Sequence, residues 1–390
     1  MRDKLSWIYR VFIAAPKQWS LPLHTDVVIY YPMGSDLLHH YLGGASYQIL
    51  VLDGGLINVH AVIKSMLTKD FWHGRPDRAY VWSFLSLVKP KVVVSFIDND
   101  PLFYEISNRF DGIKTILLQN GTRDNWLDHF SIDRGWKVDA IFVHNPSIGA
   151  YYQSRIASNI IPSGSLKNNL VRIAPKKHLD EVLFLSQYHP ELIPSKPIVF
   201  DNNGKAYGWE EFFAIDGLLI KYLDSWCSVR GKTLRVCGRE NVKFGSEYQY
   251  FKERITKATW VYEPSSSPLS AYQQLDAANL VVTIDSTLGY ESLARGRKTA
   301  FFAGRGQFIN STARRFGWPG SLPENGPFWA VSVNSDEVYR VMDYLAGESD
   351  AQWQKTCQIY APQVMGFDLG NTILQSTLRH FLTSEQLNYA

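Results

Sequence analysis

Short runs of Val, Ile, Leu and Phe recur along this chain, each closed by polar or glycine residues and followed by a helical pattern. No other feature restricts the fold as strongly, because this alternation is what parallel strands joined by crossover helices require. Strands are predicted at 26–31, 48–52, 91–97, 114–118 and 139–143, and a second series at 181–185, 233–237, 259–262, 280–284 and 298–302. Apolar character is continuous within each run, so both faces of each sheet are expected under helices. A length of 390 residues suits two cores rather than one. The polar, basic stretch 171–180, with Pro175, Lys176 and Lys177, reads as an interdomain linker at which hinge motion is plausible. The predicted class is therefore α/β, with two Rossmann-like parallel-sheet domains at 1–175 and 176–350. The segment 351–390 is helical and is placed to cross back onto the first domain.

Composition then removes several functions. Forty Lys and Arg against 37 Asp and Glu leave a formal charge of +3, too little for a nucleic-acid partner. Cys227, Cys237 and Cys357 are widely spaced and form no CxxC pair, which argues against a disulfide framework or a zinc site. The absence of a long apolar run and of a secretory leader gives a cytoplasmic expectation. Leu5, Ile8, Phe12 and Trp19 recur at near-helical spacing among Lys4, Arg10 and Lys17. Such a segment either rests peripherally on the inner-membrane surface or packs on the protein itself, and the second is commoner.

In open parallel sheets, ligands bind beyond the carboxyl ends of the strands, where loops diverge and helix N-termini point outward. In the first series those positions hold Asp98, Asn99 and Asp100, then Gln119, Asn120, Gly121, Thr122, Arg123 and Asp124, then His144 and Asn145. In the second they hold Ser186, Gln187, Tyr188 and His189, then Gly238, Arg239 and Glu240, then Asp285, Ser286 and Thr287. Two sheets presenting polar groups at corresponding edges imply a ligand held between them. The densest element is 283–304, where a strand ends in Asp285, the chain turns through Ser286 and Thr287, Gly289 permits close approach and Glu291 lies in the first turns of a helix. Hydroxyls and backbone N–H groups converging there suit a phosphodiester or diphosphate, with Glu291 accepting from ribose hydroxyls. The plainer alternative is a capped helix whose Glu291 completes a capping box.

Arg239 is a candidate partner for donor phosphate, oriented by Glu240, and a surface ion pair is equally probable on sequence grounds. His189 is a candidate to donate a hydrogen bond to phosphate or to act as acid to the leaving group. Asp98, Asp100 and Asp124 are the candidate reaction-centre carboxylates, and the sequence does not choose among them. Gln119, Asn120, Gly121 and Arg123 form a polar loop suited to gripping a sugar, and Lys167 is a further candidate contact to an anion. No P-loop, HExxH or GxSxG motif occurs, and no metal or cofactor is implied.

Taken in order, LLQNGTRDNW, IFVHNPSIGAYY, IIPSGSLKNN, LFLSQYHP, VCGRE, TIDSTLGYESLARGRKTAFF and FGWP resemble bacterial surface-carbohydrate transferases found with O-antigen and capsule genes. A more distant similarity is to retaining β-Kdo transferases. The resemblance implies a GT-B glycosyltransferase taking a CMP- or NDP-linked sugar donor and an oligosaccharide or lipid-linked acceptor. Nucleotide-sugar epimerases or hydrolases share the two-sheet layout, and a non-catalytic nucleotide-binding subunit of a polysaccharide assembly complex is a further alternative.

Overall fold

A computed structural model of the chain describes residue 9 and residues 14–52, 55–73, 75–188, 199–200, 203–267, 269–309 and 311–383. Leu5, Ile8 and Phe12 of the amphipathic segment lie outside the described residues, while Trp19 is exposed.

The first sheet consists of β1 (Val27–Tyr30), β2 (Tyr47–Leu50), β3 (Val92–Ser95), β4 (Lys114–Leu118), β5 (Lys137–Val143) and β6 (Ala157–Pro162). All pair in parallel, in the order 2-1-3-4-5-6. Its continuous apolar runs divide by alternation between two cores. Val28, Tyr30, Val93, Leu117 and Ile141 enter one, and Val27, Ile29, Val92, Ile116 and Phe142 enter the other. Burying both faces is what made the runs unbroken.

The second sheet consists of β7 (His178–Leu185), β8 (Thr233–Cys237), β9 (Trp260–Glu263), β10 (Ala278–Thr283), β11 (Lys298–Phe302) and β12 (Trp329–Ala330). It too is parallel, in the order 9-8-7-10-11-12. Strand order reverses between β7 and β10, so the loops after these two strands diverge and leave a crevice at their carboxyl ends. Strands β6 and β12 have no counterpart among the predicted runs. Strand β6 is a half-exposed edge carrying Ser158 and Asn159, and β12 is only Trp329 and Ala330, both buried but too short to form a recognisable run.

Six helices matter below: α1 (Pro146–Gln153), α2 (Trp209–Val229), α3 (Ser270–Ala277), α4 (Thr287–Ala294), α5 (Asp350–Val364) and α6 (Thr372–Thr383). Helix α5 puts Trp353, Cys357 and Val364 into the second core. The chain then returns, and α6 buries Leu374 and Leu378 against Val27 and Val92 of the first sheet. At the crossing, Gly164 sits at φ +85°, and a Cβ there would lie 2.0 Å from the Gly366 carbonyl oxygen. Only glycine lets the two strands of the return approach so closely.

The linker is held rather than loose. Arg295, fully buried, donates from Nε to Asp276 Oδ1 at 2.9 Å, from Nη1 to the Val171 carbonyl at 2.9 Å and from Nη2 to the Arg172 carbonyl at 3.1 Å. The Ala174 N–H donates to Asp276 Oδ2 at 2.8 Å, and Arg297 donates to the Ala174 carbonyl. Among the described residues no helix is long and apolar enough to cross a membrane.

Candidate functional site

Two adjoining cavities open between the sheets. The larger, about 440 Å³, is lined by Ser186, Gln187, Gly238, Arg239, Ser286 and Thr287 of the second domain, with Thr122 reaching in from the first. The smaller, about 200 Å³, is bounded by Gln119, Arg123, His144 and Asn145 on one side and by Arg305, Arg314, Arg315 and Trp318 on the other. Thr122, Gln187, Arg239 and Asp285 line both.

Helix α4 begins at the wall of the larger cavity. Ser286 is its N-cap in extended conformation, yet its hydroxyl makes no capping hydrogen bond. Glu291 does not close a capping box either. It is buried and accepts from Tyr272 Oη at 2.8 Å, away from both cavities, so it is placed to brace α3 against α4 and not to meet a ribose. Burial raises its pKa, and hydrogen bonds from Ser165 and Tyr272 oppose the rise. Gly289 also faces inward: a Cβ there would meet the Thr283 methyl at 2.4 Å, so it serves helix-on-sheet packing rather than ligand approach. Thr287 Oγ1 accepts from the Thr122 N–H at 2.9 Å and so closes the cleft at this point. Ser286 is left as the uncommitted hydroxyl at a positive helix end.

The Arg239 turn is fixed by a residue the sequence did not single out. Buried Glu247 accepts from the N–H groups of Arg239 and Glu240, each at 2.8 Å, and from Tyr262 Oη at 2.8 Å. Glu240 does not orient Arg239; it accepts from Ser246 Oγ at 2.6 Å and the Glu247 N–H at 3.1 Å, capping the helix Ser246–Lys252. The Arg239 guanidinium is exposed and lines the cleft, and among the described residues its side-chain hydrogen bond is to the Gln187 carbonyl, at 3.4 Å. Gly238 lets Tyr262 pass beneath the turn, and Ser186 Oγ accepts from the Tyr188 N–H at 3.1 Å.

On the opposite wall the candidate carboxylates separate. Asp98 is fully buried and consumed by the fold: Arg123 grips both its oxygens, with Nε at 2.9 Å, while Tyr152 Oη and the Asn120 N–H complete the shell. Asp100 accepts from Tyr30 Oη at 2.8 Å and the Leu102 N–H at 3.0 Å. Burial raises its pKa, and it lines neither cavity. Both carboxylates therefore organise the loop rather than the cleft. Asp124 pairs across the cleft with Arg314 at 2.8 Å. Gln119 accepts from the His144 N–H at 2.8 Å and donates to the Gly121 carbonyl at 2.9 Å, shaping the loop that carries Arg123. Asn120 donates to Met33 Sδ, and Lys167 lies 5.6 Å from the Phe96 ring, with neither lining a cavity. His189 lies outside the described residues.

Several cleft groups were absent from the candidates drawn from the sequence. Asp285 was a candidate, but Arg305, which holds it, and Asp216 were not. Arg305, 2% exposed at its side chain, joins Asp285 to Asp216 on α2, donates to Asp216 Oδ2 at 2.9 Å and also reaches Gln187 Oε1 at 3.0 Å. Burial pushes the Asp216 carboxyl up to about 6, a shift that Arg305 opposes and Asp285 reinforces. Burial acts the same way on Asp285, yet Arg305 and Arg314 outweigh it and hold its pKa below the ordinary carboxylate value. Asp285 is the one acidic side chain among the described residues lining either cavity. His144, placed on the cleft wall by the sequence but given no role there, is 2% exposed, and its Nε2 has no hydrogen-bond partner among the described residues. Burial pushes its pKa down to about 4, leaving a neutral ring at pH 7. Arg305 follows β11, by the same rule that located the other loops, and the ArgArg pair before FGWP was a second visible signal.

A family model described as "putative O-antigen biosynthesis protein" matches residues 116–382. A search of curated proteins gives no match. Among solved structures the chain is similar to a "putative UDP-N-acetylglucosamine 2-epimerase from Listeria monocytogenes", at 11% identity over 94% of this chain and 97% of that one, with a TM-score of 0.53. It is also similar to a variant of the wall teichoic acid polymerase TagF, at 11% identity over 93% and 90%, with a TM-score of 0.50. Likeness at this identity establishes the fold, two Rossmann-like domains facing across a cleft in the GT-B arrangement.

Proposed function

From its membership of the O-antigen biosynthesis protein family, to which the chain belongs by the match over residues 116–382, we propose that it is a metal-independent glycosyltransferase acting on a nucleotide-linked sugar. The observation that carries the proposal is the uncapped Ser286 at the start of α4, beside the exposed Arg239, in a cavity large enough for a nucleotide. The donor, CMP- or NDP-linked, lies there with its phosphate on the α4 N-terminus. Arg239 and the helix end neutralise charge that grows on the leaving oxygen. The acceptor, an oligosaccharide or lipid-linked sugar, enters from the first domain.

In the transfer, the acceptor oxygen bonds to the anomeric carbon as that carbon's bond to the phosphate oxygen breaks. The acceptor proton passes to His144 Nε2, and the electron pair of the broken bond stays on the phosphate. Asp285, ionised at the junction of the cavities, faces the positive charge that develops on the sugar ring.

A thermal-shift screen of CMP, UMP, UDP and GDP tests the nucleotide site, because selective binding raises Tm. Ser286→Ala and Arg239→Gln are each expected to weaken the selected nucleotide roughly 10-fold by calorimetry, as hydrogen bonds to charged groups are worth about 1.5–3 kcal/mol. A screen in which no nucleotide raises Tm, or unchanged affinity in both variants, contradicts the proposal. Incubating donor alone separates transfer from epimerisation or hydrolysis, which would yield an isomer or free sugar without acceptor.

His144→Asn is expected to lower kcat by about 100-fold or more, the usual range for a lost general base. With its pKa near 4 the free ring is already neutral above about pH 5, so kcat/KM of the wild type should show no His144 inflection near 6.5 and should fall only as pH drops toward 4. The depressed pKa also means that stability is lost as pH falls from 6.5 through 4, since the unfolded chain binds the proton first. That loss should shrink in His144→Asn. An inflection at 6.5 in the wild type that the variant lacks contradicts the neutral, buried ring.

A further inference from the structure

The smaller cavity carries more positive charge than the fold itself uses. Arg123, Arg239, Arg305, Arg314 and Arg315 all line it. Among the described residues, the carboxylates seen within ion-pair distance of these arginines are Asp98, Asp124, Asp216 and Asp285. Arg305 takes two of the four, which leaves Arg239 and Arg315 with no carboxylate partner among the described residues.

Arg315 differs from Arg239 in being tied down. Its Nη2 donates to the Gly320 carbonyl at 3.3 Å, while its Nε is buried with no hydrogen-bond partner among the described residues. His144 Nε2, in a side chain 2% exposed, is a second buried orphan lining this same cavity. A buried donor or acceptor left without a partner costs about 1–3 kcal/mol, so the Arg315 Nε–H donor and the His144 Nε2 acceptor around one arginine-lined space mark a place where a ligand bearing both an anionic group and a hydroxyl belongs.

This space is not the nucleotide-phosphate position. Ser286 and Thr287 line only the larger cavity, whereas His144, Arg314 and Arg315 line only the smaller one. Asp285 stands between them as a negative charge, so an anion on each side is kept apart from the other.

We propose that the smaller cavity is a second anion subsite, recognised by Arg315 and its neighbours, which takes a carboxylate or phosphate borne by the sugar being transferred or by the acceptor. Either the transferred sugar or the acceptor is thus acidic or phosphorylated. This rests on the glycosyltransferase reading of the same cleft.

The test uses the full chain, inorganic phosphate and glucuronate, with and without a saturating amount of the nucleotide that raises Tm in the screen above. Each anion is titrated by calorimetry against wild type, Arg315→Gln and Ser286→Ala. With nucleotide present, at least one of the two anions is expected to bind at one equivalent. Arg315→Gln should weaken that binding at least 10-fold while leaving nucleotide Kd within about 2-fold. Arg315→Lys, which keeps the charge but loses the Nε donor, should be intermediate and guards against a folding defect in the glutamine variant. Glucuronate binding alone assigns a carboxylate sugar, and phosphate binding alone assigns a phosphorylated one. The proposal is overturned if neither anion binds beside the nucleotide, or if Arg315→Gln weakens nucleotide and anion equally, which would make the arginine part of one diphosphate site. Should no nucleotide bind, the glycosyltransferase reading fails, while loss of phosphate binding in Arg315→Gln would still support an anion subsite here.

Discussion

Arg295→Ala should lower the stability of the chain by about 3–5 kcal/mol, the cost of stranding one member of a buried ion pair. Asp276 is 1% exposed at its side chain, and without Arg295 its remaining guanidinium is that of Arg297, at 3.4 Å. The substitution also strips hydrogen bonds from the Val171 and Arg172 carbonyls, so the linker keeps only its Ala174 contacts to Asp276 and Arg297. For a unit of 150–250 residues each kcal/mol moves Tm by about 2–4 °C, which gives a drop of roughly 10 °C by scanning calorimetry. The double variant Arg295→Met, Asp276→Leu should recover only part of the loss, since it removes both charges of the pair but leaves Arg297 without its carboxylate and the Ala174 N–H without its acceptor. A single variant melting within about 2 °C of wild type would mean that the linker is not held through this pair.

That clasp also illustrates what the sequence exposes and what it hides. The sheets were legible because strands buried on both faces must be apolar throughout, and β4, β8 and β11 coincide with their predicted runs. The rule that polar loops follow such strands likewise located Gln187, Arg239, Asp285 and Ser286, all of which line the cleft. It could not tell a cleft carboxylate from a buried one. Asp98 and Asp285 both follow a strand, and the difference lies in partners distant in sequence, Tyr152 for the first and Arg305 and Asp216 for the second. Glu240 was misassigned and Glu247 passed over for the same reason: one caps a helix and the other fixes the Arg239 turn, and no local spacing distinguishes the roles. Three-dimensional burial, which decides whether a charge is structural or available, is set by contacts that a linear pattern does not record.

Asp285→Asn is expected to reduce kcat about 1,000-fold while leaving nucleotide affinity within about 3-fold, the pattern of a group that acts as charge develops in the transition state. Asparagine has nearly the shape of aspartate, and Arg305 keeps its pair with Asp216 at 2.9 Å, so the fold loses little. What disappears is the one negative charge lining both cavities, held ionised by Arg305 and Arg314 even though burial opposes it. In a site with little water that charge acts on a positive anomeric centre far more strongly than it would in solvent. Asp98→Asn provides the contrast: Asp98 is sealed beneath Arg123 and Tyr152, so its loss should appear as a lower Tm, with kcat per folded molecule changed far less. Steady-state transfer rates with saturating donor, read beside calorimetric nucleotide binding, separate the two carboxylates. If Asp285→Asn retained more than about a tenth of the wild-type kcat, the reaction centre would have to be sought away from the junction of the cavities, whereas an Asp98→Asn protein inactive at unchanged Tm would place it beneath Arg123.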